Sequence, residues 1–258
     1  MIATIAYFTI IISIIIQIID IYLKFKIKYN LFFNSAVVIL LLIELIYRSI
    51  VIKYLAITNT FEALILYSFL ILLIITIYQI FSKNNASYVG VFLGTIVVFF
   101  LMSISSSPLI NKSINPPIPA LQSNWLLLHV SLSFIGESFF TTGFVAAILY
   151  LIGKDENKKS YYEKIIRKSI SIGYPIFTIG AIIFGAIWAK NAWGRYWDWD
   201  PKETFALITF LVYTLYLHLR TITKTKIKTT VIISVFGFLL TIFTFLGVNF
   251  LLPGLHSY

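Results

Sequence analysis

The chain is 258 residues long, 59% hydrophobic and 12% charged, with a mean hydropathy of +0.93 and a formal charge of +10. A soluble domain sits nearer half apolar and a quarter charged, so these values exclude an ordinary soluble globule and point to an integral membrane protein. The absence of cysteine excludes disulfides, zinc–thiolate sites and iron–sulfur clusters held by this chain alone, so any thiol chemistry in its pathway belongs to another protein.

Eight apolar stretches can each cross a bilayer, which takes about 17–25 helical residues. They run approximately over 2–23, 31–47, 62–82, 86–105, 125–152, 169–189, 203–220 and 230–252. The runs are continuous rather than alternating, so they predict α-helices and not a β-barrel. The expected fold is an all-α polytopic membrane helix bundle, a single integral membrane domain over residues 1–258. The opening stretch is too long for a signal-peptide core and lacks a small-residue cleavage site, and it reads as a retained helix.

The second stretch is short and contains Glu44; Glu137 lies in the fifth. An ionised carboxylate at such a depth is expensive, and structural pairing is the expected reading for both. Asn59 and Glu62 stand where the third helix begins and read as a helix entry. Pro108, Pro116, Pro117 and Pro119 stiffen the segment 106–124 against helix. Basic residues cluster after the first, third, fifth and seventh stretches, which together hold 14 of the 20 Lys and Arg. By the positive-inside rule that side is cytoplasmic or stromal, and both termini lie outside. The positive charge is thus topological, and no nucleic-acid partner is expected.

Between the sixth and seventh stretches the chain reads Trp188-Ala-Lys-Asn-Ala-Trp193-Gly194-Arg195-Tyr196-Trp197-Asp198-Trp199-Asp200-Pro201-Lys202-Glu203, with four of the five tryptophans. An aromatic belt at the membrane interface accounts for part of this. Asp200 as N-cap, Pro201 at the first helical position and Glu203 closing a capping box account for the end. Neither explains the density of tryptophans around Gly194. The functional reading is a flat aromatic platform on the outer surface that stacks on a large planar ligand, with Arg195, Lys190 and Lys202 placed to meet anionic groups.

The run Trp-Gly-Arg-Tyr-Trp-Asp-Trp-Asp-Pro-Lys-Glu-Thr (193–204), followed by Tyr216-Leu217-His218-Leu219-Arg220, resembles the tryptophan-rich "WWD" signature of haem-handling proteins. The resemblance is closer to the CcsA/ResC cytochrome c biogenesis proteins of System II than to the CcmC or CcmF proteins of System I. It extends to residues 58–62, to Trp125-Leu-Leu-Leu-His129-Val130 and to the Leu-Pro-Gly-Leu-His256-Ser-Tyr terminus, with a WWD core at approximately 120–258. Lys190-Asn191 and Phe205 depart from the usual pattern of Asn-Glu and Trp.

The three histidines bear on the same reading. His129, near the outer end of the fifth stretch, and His256, beyond the eighth, lie on the side of the tryptophan segment. Two neutral imidazoles facing each other form a bis-His axial site for a haem b iron. His218 lies 15 residues into the seventh stretch, roughly 22 Å below its outer end, and has no histidine of this chain to pair with.

The resemblance implies that the outer pair holds haem externally and that His218 shares a second, intramembrane haem with a CcsB/ResB-like partner. It implies contacts from Trp193, Gly194, Arg195, Tyr196, Trp197, Trp199 and Asp200, presentation of haem to the Cys-x-x-Cys-His thiols of apocytochrome c, and thiol-disulfide reductant proteins in the pathway. The chain would then be part of a holocytochrome c synthetase, inactive alone, in a bacterial inner or thylakoid membrane. Two other readings stay open: a transporter for another hydrophobic or anionic solute, and a quinone-linked electron carrier.

Overall fold

A computed structural model describes residues 1–23, 29–81, 88–222 and 225–252. It has eight helices long and apolar enough to cross a membrane, and no strand among the described residues. The cause is that of the sequence reading: in lipid each backbone N–H and C=O must be bonded within its own segment, and a continuous apolar run does this as helix.

The first four helices are α1 (Ile2–Leu23), α2 (Tyr29–Ile52), α3 (Thr60–Phe81) and α4 (Tyr88–Ser106). They are followed by α5 (Asn124–Ile152), α6 (Glu156–Phe177), α7 (Gly185–Trp193), α8 (Pro201–Thr221), α9 (Ile227–Ile242) and α10 (Val248–Leu251). A π-helical segment, Thr178–Phe184, joins α6 to α7, and another, Phe243–Gly247, joins α9 to α10.

Two spans depart from the predicted bounds. The second is not short: α2 runs for 24 residues and carries Arg48 inside it, because Glu44 one turn earlier neutralises the guanidinium. The sixth begins at Glu156 and continues to Trp193 as 38 residues of helix, about 57 Å at the α-helical rise against about 30 Å of hydrocarbon. Its basic first turns are amphipathic and start at Asp155, whose carboxylate accepts from Asn157 N and Lys158 N.

The chain divides into two compact units, residues 1–118 and 119–258. In the first, α1 packs on α2 and α4, and α3 packs on α2 and α4, closing a ring of four. Its centre is polar. Ser13 Oγ donates to Asn34 Oδ1 at 2.6 Å, and Gln17 Nε2 donates to Ser13 Oγ at 3.0 Å and Thr95 Oγ1 at 3.2 Å. Lipid is as apolar as leucine, so interhelical hydrogen bonds of this kind specify the packing where hydrophobicity cannot.

At one end of this unit Arg48 is buried. Nε reaches Glu44 at 3.1 Å, Nη1 reaches Glu62 at 3.4 Å and Nη2 donates to the Lys112 carbonyl at 2.6 Å. Glu62 Oε2 accepts from Asn59 N at 3.4 Å and from Thr58 N at 3.0 Å, while Asn59 Oδ1 accepts from Glu62 N at 2.9 Å, so Asn59 and Glu62 form a capping box as a helix entry. Glu44 is paired as expected. Glu137, buried on α5, has no hydrogen-bond partner at Oε2 among the described residues.

In the second unit α5 and α6 make the most extensive packing, and α8 pairs with α9. Their shared core includes Phe140, Ile166, Ile170, Phe177, Tyr213 and Tyr216. Phe140 stacks on Tyr213 with centroids 3.8 Å apart. Glu163 of α6 and Arg220 of α8 form an ion pair at one end.

Candidate functional site

His129 stands on the second turn of α5, a helix begun by Ser123, whose side chain accepts from Trp125 N. Its ring lies parallel to that of Trp188, interplanar angle 4°, with centroids 5.9 Å apart. Its Nδ1 is 2.9 Å from the Gly180 carbonyl oxygen. Trp188 is 1% exposed and packs with Leu121 and Leu126. The sixth stretch, expected to end at 189 just past Trp188, runs on through α7 to Trp193, because residues 185–193 stay helical until Gly194 ends them. Gly194 has φ +83, a left-handed C-cap that glycine adopts without a Cβ penalty.

The segment 194–200 then turns back to α8. Asp200 caps α8 by accepting from Lys202 N at 2.9 Å, and Pro201 is its first residue. Glu203 closes the turn differently from the expected box: its Oε2 accepts from Asp198 N at 2.8 Å. The reason is Trp199, whose φ of +57 folds the segment back and brings Asp198 over the helix start.

The tryptophans do not form one flat surface. Trp188 and Trp193 meet at 76°, and Trp197 and Trp199 at 85°. Edge-to-face pairs suit the ring quadrupoles better than a face-to-face sandwich. Tyr196 and Trp199 are exposed, while the indole N–H groups of Trp193 and Trp197 are buried without a hydrogen-bond acceptor among the described residues.

The cations of this segment are engaged within the fold. Arg195 pairs with Asp198, Lys190 Nζ donates to the Gly194 carbonyl at 2.8 Å, and Lys202 Nζ donates to Asn249 Oδ1 at 3.0 Å. The last contact joins the start of α8 to α10.

His129 therefore stands against Trp188, at the head of the tryptophan segment. His218 lies on α8 far from it in helix position, exposed on the flank that also presents Leu211, Leu215 and Ile222. His256 lies outside the described residues. Among those residues no group of three or more His, Cys, Asp or Glu could hold a metal ion. Sequence reasoning missed Gly180 and Gly185, which both approach the His129 ring. The only signal for them was glycine within a span.

A polytopic all-helical membrane protein with an aromatic, histidine-bearing site at one end of its second unit is the class that fold and site define. Residues 57–256 match the family model for Cytochrome C assembly protein. The cytochrome c biogenesis protein CcsA of Heterosigma akashiwo is 34% identical over 253 residues, covering 80% of this chain and 77% of that protein. The CcsA of Trieres chinensis is 36% identical over 269 residues, covering 87% and 85%. That of Chlamydomonas reinhardtii is 42% identical over 153 residues, covering 56% and 43%. The chain belongs to the cytochrome c assembly protein family, and within it the likeness is to CcsA-type cytochrome c biogenesis proteins.

Proposed function

We propose that, within the cytochrome c biogenesis that its family serves, this chain is the haem-handling subunit of a System II synthetase. Haem is its cargo: relayed across the membrane and presented outside for thioether attachment to apocytochrome c. The observation that carries this reading is the direct packing of His129 against Trp188, which unites a candidate axial ligand with the tryptophan segment. The donor set fits a planar ligand with polar edges. It offers an imidazole, the exposed rings of Tyr196 and Trp199, and two buried indole N–H groups in want of acceptors.

The chain's own part is ligation, orientation and shielding. His129 supplies an axial nitrogen, and His256 is proposed as the facing ligand. Arg195 and Lys202, already paired with Asp198 and Asn249, stiffen the segment rather than stand ready for propionates. His218, exposed on α8, suits a ligand shared with a CcsB/ResB-like subunit, because a histidine buried among its own helices could not reach a partner's haem. Thiols come from apocytochrome c and from reductant proteins, since this chain has none.

The test is the reduced absorption spectrum of the chain purified in mild detergent with its CcsB-like partner. A b-type, bis-His spectrum is expected, weakened in His129→Ala and in His256→Ala. A colourless folded complex would instead favour transport of another solute.

A further inference from the structure

Gly180 and Gly185 carry no functional group, yet the contacts that orient the His129 ring run through them. The helix α5 and the α6–π–α7 helix are antiparallel and meet along small residues. A Cβ built on Gly136 would lie 2.7 Å from Phe177 N, and one built on Gly180 would lie 2.5 Å from Ser133 N. Backbone touches backbone at both levels. At the second level the approach brings the imidazole of His129 against the main chain of the facing helix.

There the facing helix is π-wound. The Gly185 N–H bonds to the Gly180 carbonyl, five residues back rather than four, and the same oxygen lies 2.9 Å from His129 Nδ1. A carbonyl oxygen only accepts, so the hydrogen of that contact is on Nδ1. In a neutral imidazole the lone pair then resides on Nε2, the arrangement that second-shell carbonyls commonly impose on ligating histidines. Gly185 bounds the same ring: a Cβ there would lie 3.1 Å from both Nδ1 and Cε1. Trp188, three residues on, lies parallel to it.

We propose that Gly180 and Gly185 are positioning residues that hold His129 as the Nδ1–H tautomer, with Nε2 as the nitrogen offered to iron. The identity of what Nε2 meets rests on the haem reading above; the tautomer does not.

The experiment is 15N NMR of the full-length, haem-free protein labelled at histidine. The His129 signals are identified by their loss in His129→Gln. A protonated, pyrrole-type Nδ1 and a pyridine-type Nε2 are expected. Gly185→Ala should crowd the ring and replace this by a mixture of tautomers. Gly143→Ala, where a Cβ meets its neighbours at an ordinary 3.5 Å or more, should leave the pattern as it was. A pyridine-type Nδ1 in the parent protein overturns the proposal, as does a Gly185→Ala pattern identical to the parent's. Should Gly185→Ala fail to fold, the parent's tautomer alone decides between support and rejection. An Nδ1–H His129 in a complex that never takes up haem would sink the haem reading and leave the tautomer assignment standing.

Discussion

Arg48 holds two carboxylates and two carbonyl oxygens from a position 4% exposed. Removing one partner of a buried ionic cluster leaves uncompensated charge, which costs on the order of 3–5 kcal/mol. Arg48→Ala should accordingly lower the midpoint of detergent-induced unfolding well below that of the parent. Arg48→Lys should not restore it, because an ammonium cannot reproduce the fork that spans Glu44, Glu62 and the Lys112 carbonyl. Asp200 acts more locally. Its loss in Asp200→Ala removes the acceptor for Lys202 N and should cost about 1 kcal/mol, read as a small shift in the same unfolding curve. His129→Ala belongs to this scale too, with its effect on the haem spectrum and not on insertion.

Between elements, glycine decides how near helices come. Gly136 and Gly173 face each other so closely that a Cβ on either would meet main-chain atoms at 2.9 Å or less. A methyl group there cannot be absorbed by a flexible side chain. Gly136→Ala should therefore part α5 from α6 and reduce the yield of folded protein seen by size-exclusion chromatography. Gly143→Ala, with space for its methyl, should be neutral or stabilising by up to about 1 kcal/mol through the lost backbone freedom of glycine. Pro175 sits within α6 just before the π-wound segment and has no N–H for the helix ladder, so the helix is already loosened where the winding changes. π-helical turns occur often at functional sites, and this one lies against His129.

For the whole molecule, the absence of cysteine permits a direct test of orientation. Single cysteines at Asn111 and Tyr196 should react with an impermeant maleimide added to intact vesicles of outside-out orientation. Those at Lys158 and Lys226 should react only after the membrane is opened. Equal labelling at all four positions would contradict the orientation expected from the alternation of basic residues.

Much of this protein was legible in the sequence because span length and hydropathy are local properties of consecutive residues. The eight spans, the all-helical class, Asp200 as a cap, Asn59 and Glu62 as a helix entry and the pairing of Glu44 needed no distant partner to be recognised. Gly194 also announced a break, although the helix before it reached farther than expected and took Trp193 with it. Arg48 read as a topological charge, and only packing showed it as the centre of a buried cluster, because residues 62 and 112 reach it from elsewhere in the chain. The same holds for the environment of His129. Which carbonyl meets an imidazole depends on the register between two antiparallel helices. That register is set by side-chain volume along both, a long-range property that no single segment encodes.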